Sequence, residues 1–208
     1  SGLNADIIGR EEARKAYERI RQGKFWIQDE KTLNDYILLE SADIAAEYDI
    51  PLQVHTGFGN GKYIDFKTLN PLWMEKFLKN KKVLNRVKVV LLHGGHPNEE
   101  EVSYLTAQFS NVYTDFSANF YLSSIKGMER MAALLERAPI GKVMYGSDGV
   151  LFPEMSWFSH IHFRRIFFRL LTYMVAEGYV KERLAEKMAE KIMYENALEC
   201  YSRLKDRI

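Results

Sequence analysis

Four short strand-like runs, each closing on a residue that can bind a metal or move a proton, constrain this chain most. Pro51-Leu52-Gln53-Val54 is followed by His55, and Val87-Lys88-Val89-Val90-Leu91-Leu92 by His93. Asn111-Val112-Tyr113-Thr114 is followed by Asp115, and Lys142-Val143-Met144-Tyr145-Gly146-Ser147 by Asp148. Successive end residues lie 38, 22 and 33 positions apart. A (β/α) barrel of roughly 250 residues uses about 31 per βα unit and gathers its chemistry at the C-terminal rim of its strands. The rhythm therefore predicts an α/β chain of TIM-barrel type whose strand ends share one cavity.

The segments between these runs carry helical periodicity. Helices are expected over about 10–22, 31–48, 70–80, 98–110, 122–137, 156–177 and 180–204. Glu99, Glu100 and Glu101 suit the first turn of the fourth of these, where the helix dipole favours carboxylates. Strands alternating with helices predict a parallel sheet covered by those helices. No linker, repeat or low-complexity tract divides the sequence, so 1–208 reads as one domain. The competing architecture is a doubly wound open sheet, which would place G-x-G-x-x-G after its first strand. Gly57, Gly59 and Gly61 have a different spacing and lead into a polar, broken run. They read instead as a loop that bends sharply beside a ligand.

Composition narrows the function classes. Lys and Arg number 29 against 28 Asp and Glu, a formal charge of +1, so nothing predicts the concentrated basic face that nucleic acid requires. No apolar stretch approaches the roughly 20 residues of a membrane span. The start, Ser1-Gly2-Leu3-Asn4, lacks the basic and apolar regions of a signal peptide. The single Cys200 cannot form an internal disulfide, which suits a reducing cytoplasm, and its helical setting predicts a buried thiol rather than a nucleophile. The expected partner is a small-molecule substrate.

Metal chemistry needs neutral imidazoles and carboxylates converging on one ion. His55 and Asp148 are the best ligand candidates. Asp148 stands between Gly146 and Gly149, where a tight turn at a strand tip is permitted, and its carboxylate can also accept a proton from a coordinated water. The bland reading, that Asp148 caps a turn, loses to the coincidence of four polar strand ends. His93, beyond a six-residue strand and before Gly94-Gly95, can bind metal or act as general acid/base. His96 lies on the loop and either contacts substrate or faces solvent. Asp115 either orients a neighbouring His or caps a turn. Glu154 reaches the rim from its loop or serves a helix N-terminus. His160, His162, Arg164 and Arg165 sit in a helical pattern and read as packing or surface residues.

At these motifs the chain resembles the amidohydrolase-related metal-dependent hydrolases of TIM-barrel fold, and within them the branch fused to glutamine synthetase domains. The likeness rests on Leu52-Gln53-Val54-His55-Thr56-Gly57-Phe58-Gly59, Val90-Leu91-Leu92-His93, Asn111-Val112-Tyr113-Thr114-Asp115, Lys142-Val143-Met144-Tyr145-Gly146-Ser147-Asp148, Pro153-Glu154 and the closing Glu195-Asn196-Ala197-Leu198-Glu199-Cys200-Tyr201. It implies that His55 and Asp148 hold a divalent metal, zinc by preference, and that His93 is a further ligand or the proton carrier. It implies hydrolysis of a small polar or carboxylate-bearing substrate through a metal-activated water. Relatives that decarboxylate leave a decarboxylase as the alternative.

One departure matters. The family's first strand carries a His-x-His pair, and the one match in spelling, His160-Ile161-His162, lies in a helical pattern where i and i+2 face apart. The matching motifs correspond to strands five to eight, so the resemblance implies the C-terminal half of a barrel. Such a half is expected to form a homo-oligomer or to pair with a missing N-terminal half. An inactive fragment or assembly module is the non-catalytic alternative.

Overall fold

β1 (Leu52–His55), β2 (Val89–Leu92), β3 (Val112–Asp115) and β4 (Val143–Met144) form a parallel sheet in the order β1-β2-β3-β4. The computed structural model describes residues 3–24, 26–57, 66–117 and 125–207. Gly59 and Gly61 of the glycine loop, and residues 122–124 of an expected helix, lie outside the described residues. The register pairs His55 with Leu92, Leu91 with Thr114 and Asp115 with Met144. His55, Leu92, Asp115 and Met144 thus share one row, and His93 stands one step beyond it. The parallel sheet bears out the α/β expectation.

Alternation along each strand sorts the side chains to two faces. Val89, Leu91, Val112 and Val143 are buried in the main core, which also holds Phe77, Leu105, Leu134, Phe163 and Ile192 from flanking segments. Val90 and Met144 face the other way, against Cys200, with Leu92, Tyr113, Ala197 and Tyr201 around them. Gln53 joins this second cluster by donating from Nε2 to the Tyr201 hydroxyl at 2.5 Å.

Helices flank the strands in sequence. α1 (Arg10–Arg21) and α2 (Ile27–Glu47) precede β1. Asp29 starts α2 by accepting from the Trp26 N–H at 3.1 Å, and it pairs with Arg19. The helix therefore begins four residues earlier than its apolar pattern implies. The expected helix over 70–80 is a 3₁₀ turn (Pro71–Met74) followed by the single helical turn α3 (Glu75–Leu78). Asn70 caps it by accepting from the Leu72 N–H at 2.9 Å. α4 (Glu99–Gln108), α5 (Gly127–Leu135) and α6 (Pro153–Ala176) follow β2, β3 and β4. Lys142 Nζ donates to the Thr106 and Phe109 carbonyls at 2.9 and 2.7 Å, placing a cation on the C-terminal end of α4.

The last expected helix, over 180–204, is broken. α7 (Glu182–Glu190) gives way to a π turn (Lys191–Glu195), then α8 (Asn196–Cys200) and a 3₁₀ turn. The break has a physical reason. Within the π turn the Ile192 carbonyl accepts the Tyr145 N–H at 2.8 Å, so the chain beyond the short β4 is held by this segment. Asn196, fully buried, donates to the Ile140 and Val143 carbonyls at 2.7 Å each. A strand expected over 142–147 accordingly shortens to Val143–Met144. Among the described residues, no helix is long and apolar enough to cross a membrane.

Cys200 is fully buried, and burial pushes its thiol up to about 12. Its reactivity follows from that setting. An unfolded thiol releases its proton near the ordinary value of 9, whereas the folded one holds it to about 12. The contribution to stability is therefore complete below about pH 9 and lost as pH rises from 9 towards 12. The protein is expected to resist Ellman's reagent at pH 8 until denatured. Its unfolding free energy should fall more steeply above pH 9 than that of Cys200→Ala, by about 1.4 kcal/mol per pH unit.

Candidate active site

Three strand tips meet around His93. The residue has φ 68° and is followed by Gly94 and Gly95 at φ 57° and 71°, so the chain turns sharply as it leaves β2. A left-handed conformation is unusual for a residue with a Cβ, and surrounding bonds hold it here. The His93 N–H donates to Asp115 Oδ1 at 2.8 Å, which ties the tip of β2 to that of β3. His93 Nδ1 lies 2.8 Å from Ser117 Oγ, and that hydroxyl donates to Asp115 Oδ1 at 2.6 Å. The Ser117 N–H also donates to Asp115 Oδ1, at 3.1 Å. Asp115 thus orients the loop carrying Ser117 and, through the serine hydroxyl, one nitrogen of the His93 ring.

The other nitrogen of His93 faces β1. His93 Nε2 is 3.0 Å from His55 Nδ1, and the two rings meet edge to face at 4.4 Å. His93 is buried while His55 is exposed, so the pair runs from the interior to an open surface. Two imidazole nitrogens this close either share a proton or direct lone pairs at a common position, which is what a metal needs from two ligands. The donor chemistry fits a divalent site in which His55 gives a ring lone pair to the ion while His93 keeps Nε2 for protons. Among the described residues no group of three His, Cys, Asp or Glu converges well enough to hold an ion.

Asp115 is buried, and burial pushes its carboxyl up, against the hydrogen bonds from Ser117 and His93 that favour the ionised form. Close packing shapes the space beside it. A Cβ at Gly146 would sit 3.0 Å from Ser117 Cβ and 3.3 Å from Asp115 Oδ2. A Cβ at Gly57, whose φ is 71°, would lie 2.3 Å from the His96 carbonyl oxygen. The first glycine of the loop therefore lets the β1 and β2 loops touch through backbone.

The other sequence candidates separate. Asp148, at φ 52°, is partly buried four residues past β4 and does not complete a three-donor group with the two imidazoles among the described residues. His96 Nδ1 is 2.7 Å from Glu99 Oε1, and Glu99 is buried with Arg130 Nε at 3.9 Å. Glu154 is exposed in the first turn of α6. His160 packs edge to face on Tyr145 at 5.6 Å, and His162 stacks on Phe158 at 5.5 Å, so both belong to helix packing. Ser117 escapes the sequence reading, and Glu99 enters it only as a carboxylate of a helix's first turn. The signals were local, a Ser two residues past Asp115 and a Glu three past His96, but such spacings are common in turns and helix starts.

In sequence and in fold the chain is similar to known proteins. The amidohydrolase family model matches residues 20–203. Protein fluG of Emericella nidulans is 27% identical over 179 residues, covering 83% of this chain and 20% of its own length, and it fits the fused branch that the motifs resemble. A protein assigned as a metal-dependent hydrolase from Lactobacillus casei superposes with a TM-score of 0.86 at 25% identity, over 98% of this chain and 53% of its own. Uronate isomerase from Thermotoga maritima (TM-score 0.69, 16% identity) covers 96% of this chain and 48% of its own. Glucuronate isomerase from Caulobacter crescentus (TM-score 0.77, 17% identity) covers 97% and 45%. These two share the fold, which is TIM-barrel-like. The chain spans a fifth of the curated relative and about half of each solved structure. Metal-dependent hydrolases of this kind imply a divalent ion. With its parallel strands, its paired imidazoles and a family match across most of its length, the chain belongs to the amidohydrolase family.

Proposed function

We propose that this chain carries the metal- and proton-handling residues of a hydrolase acting on a small polar or carboxylate-bearing substrate. The observation that carries the reading is the 3.0 Å approach of His55 Nδ1 and His93 Nε2, backed by the Ser117–Asp115 relay. His55 would hold the ion, zinc by preference, with Asp148 as the carboxylate ligand. A bound divalent ion supplies Lewis acidity, making a water acidic and polarising a carbonyl.

The chain's own residues do the rest. Ser117 and Asp115 fix the His93 ring and its tautomer, so Nε2 is the nitrogen presented to the open face. His93 then takes or returns a proton at Nε2. His96, oriented by Glu99, and Glu154 at the start of α6 are the residues assigned to the substrate's polar groups.

The test is product analysis. Zinc-loaded protein is incubated with a panel of small carboxylate-bearing amides and esters. Equimolar acid with amine or alcohol is the expected result, lost in His93→Asn. Release of carbon dioxide from carboxylates would favour the decarboxylase reading instead. No turnover of any kind would leave the inactive-module reading.

A further inference from the structure

Arg130 of α5 carries a charge that its surroundings answer only in part. Its side chain is 17% exposed, and its ion pair with Glu99 is loose, Nε lying 3.9 Å from Oε1. That separation is too long for a hydrogen bond. Among the described residues the guanidinium donates no hydrogen bond at all. Arg14 and Arg86 are far more exposed, yet they reach carboxylate oxygens at 2.9 and 2.7 Å. Burying a charge without partners is costly. A mostly buried guanidinium with unused donors therefore marks a place for an acceptor.

The place is the rim that carries the paired histidines. α4 and α5 pack side by side and begin beyond the tips of β2 and β3, where His93 and Asp115 stand. Glu99, buried at the first position of α4, holds His96 Nδ1 at 2.7 Å and turns the same oxygen towards Arg130. A carboxylate only accepts, so Nδ1 of His96 carries a proton. The backbone of His96 lies against Gly57, two residues past His55. One buried carboxylate thus fixes an imidazole and a guanidinium just beyond the tip of β2. Other carboxylates nearby are engaged or solvated. Glu101 accepts from Asn70 Nδ2 at 3.3 Å, and Glu100 and Glu129 are exposed.

We propose that Arg130 anchors a carboxylate of the substrate, seated on the guanidinium fork with His96 beside it. That the bound anion is a substrate rests on the hydrolase reading. Its class follows from the charge. A guanidinium fork matches carboxylate and phosphate alike. A single arginine already facing Glu99 has too little positive charge left for a phosphate dianion, whereas a carboxylate needs only one cation. Glu99 keeps the guanidinium in place without using up its donors.

The metal-free protein is titrated with malonate at constant ionic strength. NMR follows the Arg130 side-chain N–H and the backbone amides of His96 and Glu99. A saturable shift is expected, with affinity lowered at least about tenfold in Arg130→Lys, whose ammonium is a point charge rather than a fork. Arg165→Lys, at an exposed arginine of α6, should bind as the wild type does, and uncharged malonamide should give no shift. Circular dichroism should be unchanged in both variants. Equal affinity in Arg130→Lys, a shift that never saturates, or tighter binding of inorganic phosphate overturns the proposal. The measurement involves neither metal nor turnover. Malonate binding by a protein that turns nothing over would count against the hydrolase reading alone, and turnover without malonate binding against the anchor alone.

Discussion

Replacing Asp115 by alanine is expected to destabilise the protein by about 3 kcal/mol and to release His93 from its present geometry. One buried carboxylate oxygen, Oδ1, accepts the His93 N–H, the Ser117 N–H and the Ser117 hydroxyl. Alanine leaves two backbone donors buried without an acceptor, and each such group costs about 1–3 kcal/mol. Some of this is offset, because the variant no longer buries a carboxylate. Asp115→Asn keeps an acceptor oxygen in place and should cost less, about 1 kcal/mol. Urea unfolding followed by circular dichroism measures both. A loss under about 1 kcal/mol for the alanine variant would show that the β2 and β3 tips are held by something other than Asp115.

Phe163→Ala should cost more, about 3–5 kcal/mol. The side chain is fully buried, with ring centroids 5.6 Å from Phe116, 4.7 Å from Tyr145 and 5.3 Å from Phe167. Phe116 lies between Asp115 and Ser117, and Tyr145 continues β4, so this one ring supports two strand tips from behind. Truncation removes that support and leaves a cavity that the surrounding rings fill only in part. Phe168→Ala, five residues on and exposed, is the control and should change stability by less than about 0.5 kcal/mol in the isolated chain. The urea midpoint should shift for Phe163→Ala with the slope unchanged.

Much of the fold is legible in the sequence because its signals are short-ranged. A short apolar, β-branched run marks Val89 to Leu92 as a strand whether or not its neighbours are known, and Pro153 with the apolar run after it announces α6. The polar residue at each strand end is legible for the same reason. What the sequence conceals are bonds between distant segments. The π turn at Lys191–Glu195 exists to offer a carbonyl to Tyr145, forty-seven residues before Ile192, and nothing in the local pattern of 180–204 announces it. Ser117 gains its role only when β2 and β3 lie side by side. The sequence reads His55 as a metal ligand and His93 as a further ligand or the proton carrier, with nothing that brings the two rings into contact. In space their nitrogens face one another, so the two roles belong to one cluster.

Metal content most directly tests the central claim, that the His55–His93 pair is part of a divalent-ion site. Purified protein is incubated with zinc, desalted and measured by elemental mass spectrometry against protein concentration, with His55→Ala, His93→Ala and Asp148→Ala in parallel. Bound zinc that falls by at least about tenfold in each variant is the predicted result. Zinc that is absent from the wild type, or retained equally in all three variants, would contradict it.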